Sequence, residues 1–191
     1  MYVERILYPV ETLGPGKRIA VWTAGCTKRC INCANPELWD VHNKNGKDVV
    51  DLAQIIHNIA KENIVDGITF TGGDPLEQPN EMLQLLRLIK PEIDDILVYT
   101  GYQYSDLSIL LSSDDMKAIE ELITVLIDGP YIDELNDNKS SLRGSLNQEI
   151  IYFDKRYESN YKKYLSNGRK IQNMMLGTKL ISVGIHNKKR D

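Results

Sequence analysis

Four short apolar runs, at residues 19–23, 67–71, 96–100 and 123–127, alternate with stretches patterned as amphipathic helices. This rhythm constrains the fold more than any other feature of the chain. Strand, helix and strand in succession imply right-handed crossovers and a parallel sheet, because a tight hairpin cannot join parallel neighbours. The runs also break off at polar segments bearing glycine, among them Gly72-Gly73-Asp74-Pro75, Gly101 and Asp128-Gly129-Pro130. In parallel α/β folds such ends gather on one rim, and sites are built there. The expected class is α/β with a mainly parallel sheet, the strand ends lining the rim of an open or closed barrel.

The helical stretches carry their own signals. Asp48 is placed to cap a helix in which Val49, Leu52, Ile56 and Ile59 recur at three- and four-residue spacing. A second helix starts near Asn80, runs through Leu83 and Leu86, and stops before Pro91. Helical turns are expected at residues 105–111 and 116–122. Beyond Tyr131 the pattern weakens. Residues 133–141 read as a loop or short helix, 149–153 as a strand, 157–169 as a polar segment rich in tyrosine, and 180–184 as a last strand. No repeat or linker interrupts the chain, and 191 residues with 42% hydrophobic content suit one domain with an ordinary core.

Charge and hydropathy narrow the partners. The 27 acidic residues outnumber the 23 basic ones, which argues against binding nucleic acid by phosphate neutralisation. Lys188-Lys189-Arg190 reads as a solvated terminus. No apolar run approaches ~18 residues, so no membrane span is expected. Glu4 and Arg5 interrupt the N-terminus, so it does not read as a signal peptide. The cysteines are three in number and clustered, which disulfides cannot fully use; a reducing cytoplasm is the expected compartment.

Those cysteines follow the first run at once, as Cys26-Thr-Lys-Arg-Cys30-Ile-Asn-Cys33. A [4Fe–4S] cube has four irons, so three thiolates leave one iron open to a substrate or cofactor. An electron carrier would want a fourth cysteine. The rival is a structural zinc site in a binding module, with His42 as fourth ligand, although a second C-x2-C pair is missing. Reactive-thiol chemistry is a third reading. His57 and His186 read as helix-face or solvent residues.

The C-x3-C-x2-C spacing after the first strand resembles the signature of the radical S-adenosylmethionine (SAM) superfamily. Gly14-Pro15-Gly16-x-Arg18, Asn35 and Trp39-Asp40 resemble its glycyl-radical-enzyme activases. Within that group the chain is most similar to the activases of anaerobic (class III) ribonucleotide reductases. That likeness rests on Tyr8-Pro9-Val10, Thr71-Gly72-Gly73-Asp74-Pro75-Leu76, Thr100-Gly101-Tyr102, Asp128-Gly129 and Arg143-Gly144-Ser145-x-Asn147-Gln148. The resemblance covers residues 8–153; residues 154–191 look like a C-terminal addition.

The resemblance implies an incomplete, TIM-like (β/α) barrel holding one [4Fe–4S] cluster and SAM. Cys26, Cys30 and Cys33 would ligate three irons. SAM would chelate the fourth, and its reductive cleavage would yield a 5′-deoxyadenosyl radical that takes hydrogen from a glycine of a partner. Gly72 and Gly73 would let the strand end approach SAM, and Asp74 would accept from its ammonium. Thr100 and Asp128 would meet its carboxylate and ribose. Asp128 would also ligate a monovalent cation, as in relatives, although Tyr99 stands where some of them carry an aspartate. Arg143 would clamp a carboxylate. Asn32 stands where many members carry an aromatic residue against adenine. The implied partners are a glycyl radical enzyme, with anaerobic ribonucleotide reductase favoured, and a flavodoxin- or ferredoxin-type reductant. The same chemistry directed at another protein, a peptide or a small molecule such as a deazapurine precursor is the alternative.

Overall fold

The computed structural model describes residues 1–41 and 46–188. His42, Lys189 and Arg190 therefore lie outside the described residues. Six strands form one open sheet in sequential order. Its centre is β2 (Arg18–Thr23), β3 (Gly67–Gly72), β4 (Ile96–Tyr99) and β5 (Val125–Asp128), all parallel neighbours. The edges are β1 (Val3–Val10) and β6 (Glu149–Tyr152), each antiparallel to its neighbour. The sheet is α/β and mostly parallel, and it does not close into a barrel.

The crossovers follow the expected chemistry. In α1 (Val49–Glu62) the Asp48 carboxylate accepts from the backbone N–H of Val50 and Asp51, satisfying two of the four orphan donors of the first turn. The next crossover is α2 (Pro79–Ile89), with proline at its first position, where a missing N–H costs nothing. The third is a pair, α3 (Tyr104–Leu110) and α4 (Ser113–Leu122).

Period-two alternation sorts the strands between two faces. Ile19, Val21, Ile68, Phe70, Ile96, Val98 and Leu126 pack with Leu52, Ile56, Met82 and Leu86 of the helices. The intervening residues look the other way. Leu97, Val125 and Ile127 meet Leu142 and Tyr161, while Ala20 and Trp22 meet Leu7, Val10 and Val183. This second face is covered by the end of the chain: α5 (Glu158–Leu165) and a separate antiparallel hairpin, β7 (Ile171–Leu176) with β8 (Lys179–Gly184).

Some elements depart from the sequence reading. The last parallel strand starts at Val125 rather than 123, because Ile123 caps α4 and Thr124 turns the chain: its hydroxyl donates to Asp94 O and accepts from Ile96 N. The 157–169 segment holds a helix, and both β1 and β7 go beyond the strands expected. Residues 133–141 agree with the reading of a loop or short helix: one 3-10 turn, Asp133–Leu135, and then loop. Among the described residues no helix is long and apolar enough to cross a membrane.

Candidate functional site

The C-terminal ends of β2, β3, β4 and β5 surround one cavity of about 560 Å³. Cys26, Cys30 and Cys33 line it, together with Gly72, Gly73, Asp74 and Thr100. Trp22, Thr71 and Tyr99 lie on its wall and are in phase with Ala20, Thr69 and Leu97, so the cavity opens on the sheet face that α1 to α4 leave bare.

The cysteine loop is pinned at both ends. Gly25 N–H donates to Leu38 O at 2.8 Å and Cys26 N–H to Trp39 O at 3.0 Å, closing the loop on itself. Asp74 N–H donates to Gly25 O at 2.8 Å, and the Glu77 carboxylate accepts from Thr27 N at 3.0 Å and from the Thr27 hydroxyl. Within the loop Arg29 and Asn32 adopt positive φ, of 47° and 55°, a conformation in which side chains are uncommon and which concentrates at functional sites.

Each thiol meets backbone donors. Asn35 N–H reaches Cys33 Sγ at 3.5 Å, while the backbone N–H groups of Lys28 and Arg29 act on the Cys26 thiol and those of Tyr131 and Cys30 itself on the Cys30 thiol. Burial pushes the Cys26 and Cys30 thiols up, and these N–H groups oppose it. Such donors favour thiolate over thiol, the form that ligates iron, so the cradle fits a cluster. All three cysteines are free. Among the described residues no three His, Cys, Asp or Glu side chains converge as a single metal ion requires. The fourth ligand of the zinc reading, His42, lies outside the described residues.

The glycines have a reason beyond the one read from sequence. A Cβ at Gly73 would stand 2.5 Å from Gly25 O, and one at Gly72, where φ is +110°, 2.6 Å from Thr23 O. They let the end of β3 touch the backbone that leads into the cysteines. Asp74 then folds inward. It is 1% exposed, and its carboxylate accepts from Leu76 N (3.0 Å), Gly101 N (2.8 Å) and the Thr100 hydroxyl (3.0 Å). No cation pairs with it among the described residues. Burial pushes its pKa up to about 6, although every one of those hydrogen bonds pulls it down.

Asp128 and Arg143 do not join this wall. The Asp128 carboxylate accepts from Tyr104 N at 2.8 Å and Glu149 N at 3.1 Å, so it ties β5 to α3 and β6. Arg143 donates to Gln148 O at 3.2 Å. Its neighbour Gln148 does reach the cavity, and Gln148 Nε2 supports Gly129 O at 3.0 Å. Tyr99 lines the cavity with its hydroxyl on Leu142 O at 2.9 Å. His57 pairs with Glu92 away from the site, whereas His186 lies on the cavity wall.

Arg5 was not signalled by sequence. It stands on β1, lines the cavity, lies over the Trp22 ring at 4.9 Å and donates to Asn35 Oδ1 at 2.9 Å. Its Nε is buried without a partner among the described residues, leaving an N–H able to meet an anionic group. Asp133 was also missed; it accepts from Asn32 Nδ2 across 101 residues of sequence at 3.1 Å.

An open α/β sheet that brings three free thiols and their N–H donors to one strand-end cavity defines a protein built around a single iron–sulfur cluster. The family described as 4Fe-4S single cluster domain matches residues 12–151. The anaerobic ribonucleoside-triphosphate reductase-activating protein of Escherichia coli (strain K12) is 34% identical over 149 residues, which cover 75% of this chain and 94% of that protein. The proteins of the same name from Haemophilus influenzae and Enterobacteria phage T4 are 35% and 32% identical, over 76% and 78% of this chain and 95% and 93% of their own lengths. The chain belongs to the family of anaerobic ribonucleoside-triphosphate reductase-activating proteins.

Proposed function

We propose that this chain is a radical SAM enzyme that generates a glycyl radical on an anaerobic ribonucleotide reductase. The observation that carries the reading is Asp74, a buried carboxylate with neutral donors only among the described residues, on the same cavity wall as three cysteines. A cationic ligand group offsets its charge, and the SAM ammonium is one. Cys26, Cys30 and Cys33 ligate three irons, and Gly72, Gly73 and Thr100 shape the wall beside them. When bound, the cluster and SAM supply one-electron reductive cleavage of a SAM C–S bond.

The residues present bind, orient and shield. Thr100 and the Gly101 N–H fix the Asp74 carboxylate, so it does not reorganise when a ligand arrives. The N–H groups of Lys28, Arg29, Tyr131 and Asn35 hold the sulfurs in place. Asp128 and Arg143 act at one remove in this arrangement, by holding the ends of β5 and the 143–148 loop.

We read the chain as one domain, and its sequential parallel strands as part of a TIM-like barrel. A flavodoxin- or ferredoxin-type protein is the proposed reductant. The test is anaerobic reconstitution with iron and sulfide, then addition of SAM, reductant and the reductase. A glycyl electron paramagnetic resonance signal with 5′-deoxyadenosine as co-product is expected. Product without the glycyl signal would move the target to another protein, peptide or small molecule; no product with a full complement of iron would end the SAM reading.

A further inference from the structure

About a quarter of the chain lies outside the alignment with the Escherichia coli relative, and the family match ends at residue 151. The structure places part of that remainder on the cofactor cavity. Ser182, Val183, Gly184, Ile185, His186 and Asn187 all line it. This segment is anchored rather than draped. Val183 is 1% exposed among Leu7, Val10, Leu13 and Trp22, and its carbonyl accepts from the Thr12 hydroxyl at 3.0 Å. Arg169, whose side chain is 6% exposed, donates to His186 O at 2.8 Å, Asn136 Oδ1 at 3.0 Å and Ser140 O at 3.0 Å.

One side chain joins this segment to the cysteines. Asp133 is 6% exposed on the cavity wall. Its Oδ2 accepts from Asn32 Nδ2 at 3.1 Å and pairs with Lys188 Nζ at 3.2 Å, and its Oδ1 accepts from the Tyr131 hydroxyl at 2.6 Å. Asn32 sits between Cys30 and Cys33 in a left-handed backbone conformation, so the Asp133 contact acts directly on the loop between those two cysteines. Three segments far apart in sequence thus meet on one carboxylate: the cysteine loop, the segment after β5 and the end of the chain.

We propose that residues 182–187 are a built-in wall of the cofactor cavity and that Asp133, paired with the adjoining Lys188, is a positioning residue tying this wall to the loop that carries Cys30 and Cys33. The proposal deepens the radical SAM reading and rests on it for the identity of the cavity's ligand. On this view the chain supplies, from its own C-terminal part, a side of the cavity that the matched region leaves open. Cys26 is anchored at the other end of the loop, where its N–H donates to Trp39 O at 3.0 Å and the Gly25 N–H donates to Leu38 O at 2.8 Å, so it is the internal control.

That separation makes the proposal testable on the metal-free protein. Alkylation of each cysteine by iodoacetamide is followed by mass spectrometry in wild type, Asn32→Ala, Asp133→Ala, the double variant and Lys188→Ala, with exposed Lys179→Ala as control. Asp133→Ala is expected to speed Cys30 and Cys33 about five-fold, as loss of a local latch does, and to leave Cys26 near its wild-type rate. The double variant should react no faster than Asp133→Ala, because both remove one contact. A uniform rise at all three cysteines, or no rise, overturns the positioning role. The wall is tested by Ser182→Trp, which fills the cavity from the hairpin: SAM binding to the cluster-loaded protein, followed by calorimetry, should weaken at least about ten-fold. Unchanged affinity overturns the wall. Failure of wild type to bind SAM would count against the function proposed above, while the alkylation pattern would still decide the role of Asp133.

Discussion

Two buried aspartates sit at opposite ends of the parallel sheet and are treated in opposite ways. Asp95, just before β4, is 3% exposed and pairs with the fully buried Arg18, whose Nη1 lies 2.7 Å from Asp95 Oδ2. Thr69, Ile68 O and Pro15 O take further guanidinium donors, and the Tyr161 hydroxyl donates to Asp95 Oδ1 at 2.8 Å. Asp74, just after β3, is 1% exposed and has, among the described residues, only N–H and O–H donors. At the first end the charges are closed on one another. At the second a charge is held ready beside a cavity and three thiols. The difference teaches how one sheet divides its labour: the N-terminal ends of the strands carry stability, and the C-terminal ends carry chemistry.

The largest expected effect tests that division from the chemical end. Cys30→Ala should remove a cluster ligand, so that iron per chain falls well below that of wild type after anaerobic reconstitution and 5′-deoxyadenosine is no longer formed. Cys30 is half-exposed, so the metal-free variant should unfold within about 1 kcal/mol of wild type in urea. The reverse pattern is expected from Asp95→Ala. It leaves Arg18 buried and uncompensated and should cost about 3–5 kcal/mol of stability in the same urea titration. If Asp95→Ala unfolded like wild type, the closed pair at the lower end would not be a stability device.

Asp74→Asn sharpens the comparison, because it removes charge and keeps shape. SAM binding to the loaded protein should weaken about 10- to 100-fold by calorimetry, the worth of a hydrogen bond to a charged group. The pH dependence follows from the same carboxyl. Its folded pKa, about 6, lies above the ordinary 3.8, so the folded state holds the proton more tightly than the unfolded one. Its contribution to stability is therefore full below pH 3.8 and is lost as pH rises through about 6. Urea unfolding of the metal-free protein should show that loss, about 3 kcal/mol over the whole window, and Asp74→Asn should flatten it. Binding of SAM should itself weaken as pH falls below about 6, where Asp74 takes up its proton.

The sequence made one of these ends far more legible than the other. The four parallel strands are apolar runs with glycine at their ends, and the cysteines and Gly72-Gly73-Asp74 follow them directly, so the site could be assembled by topology alone. The edge strand β1 was hidden because its buried residues, Val3, Leu7 and Val10, are not two apart, and its register with β2 shifts twice. Arg5 was lost with it. In the hairpin most described side chains of β7 are exposed or half-exposed, so no apolar face announces the strand. Asp133 and Asn32 belong together only through a contact spanning 101 residues, which no local pattern encodes. Asp128 and Arg143 show the converse. Their motifs are readable, but backbone partners on α3, β6 and the 143–148 loop claim their side chains.

Tyr161→Phe leaves the cavity untouched and probes whether the two ends are independent. Tyr161 comes from α5, beyond the matched region, yet it is 0% exposed, with its ring edge-on to Tyr152 and 5.9 Å from the Arg18 guanidinium. Phenylalanine keeps that ring packing and removes only the hydroxyl on Asp95. The loss should be about 1.5–3 kcal/mol in urea, as for a hydrogen bond to a charged group, and most of it should vanish in an Asp95→Ala background. Iron content, SAM affinity and the alkylation rates of the three cysteines should match wild type. A fall in SAM affinity at full iron content would mean that α5 transmits strain from the Arg18–Asp95 pair to the cavity, and the two ends would then have to be treated as one coupled network.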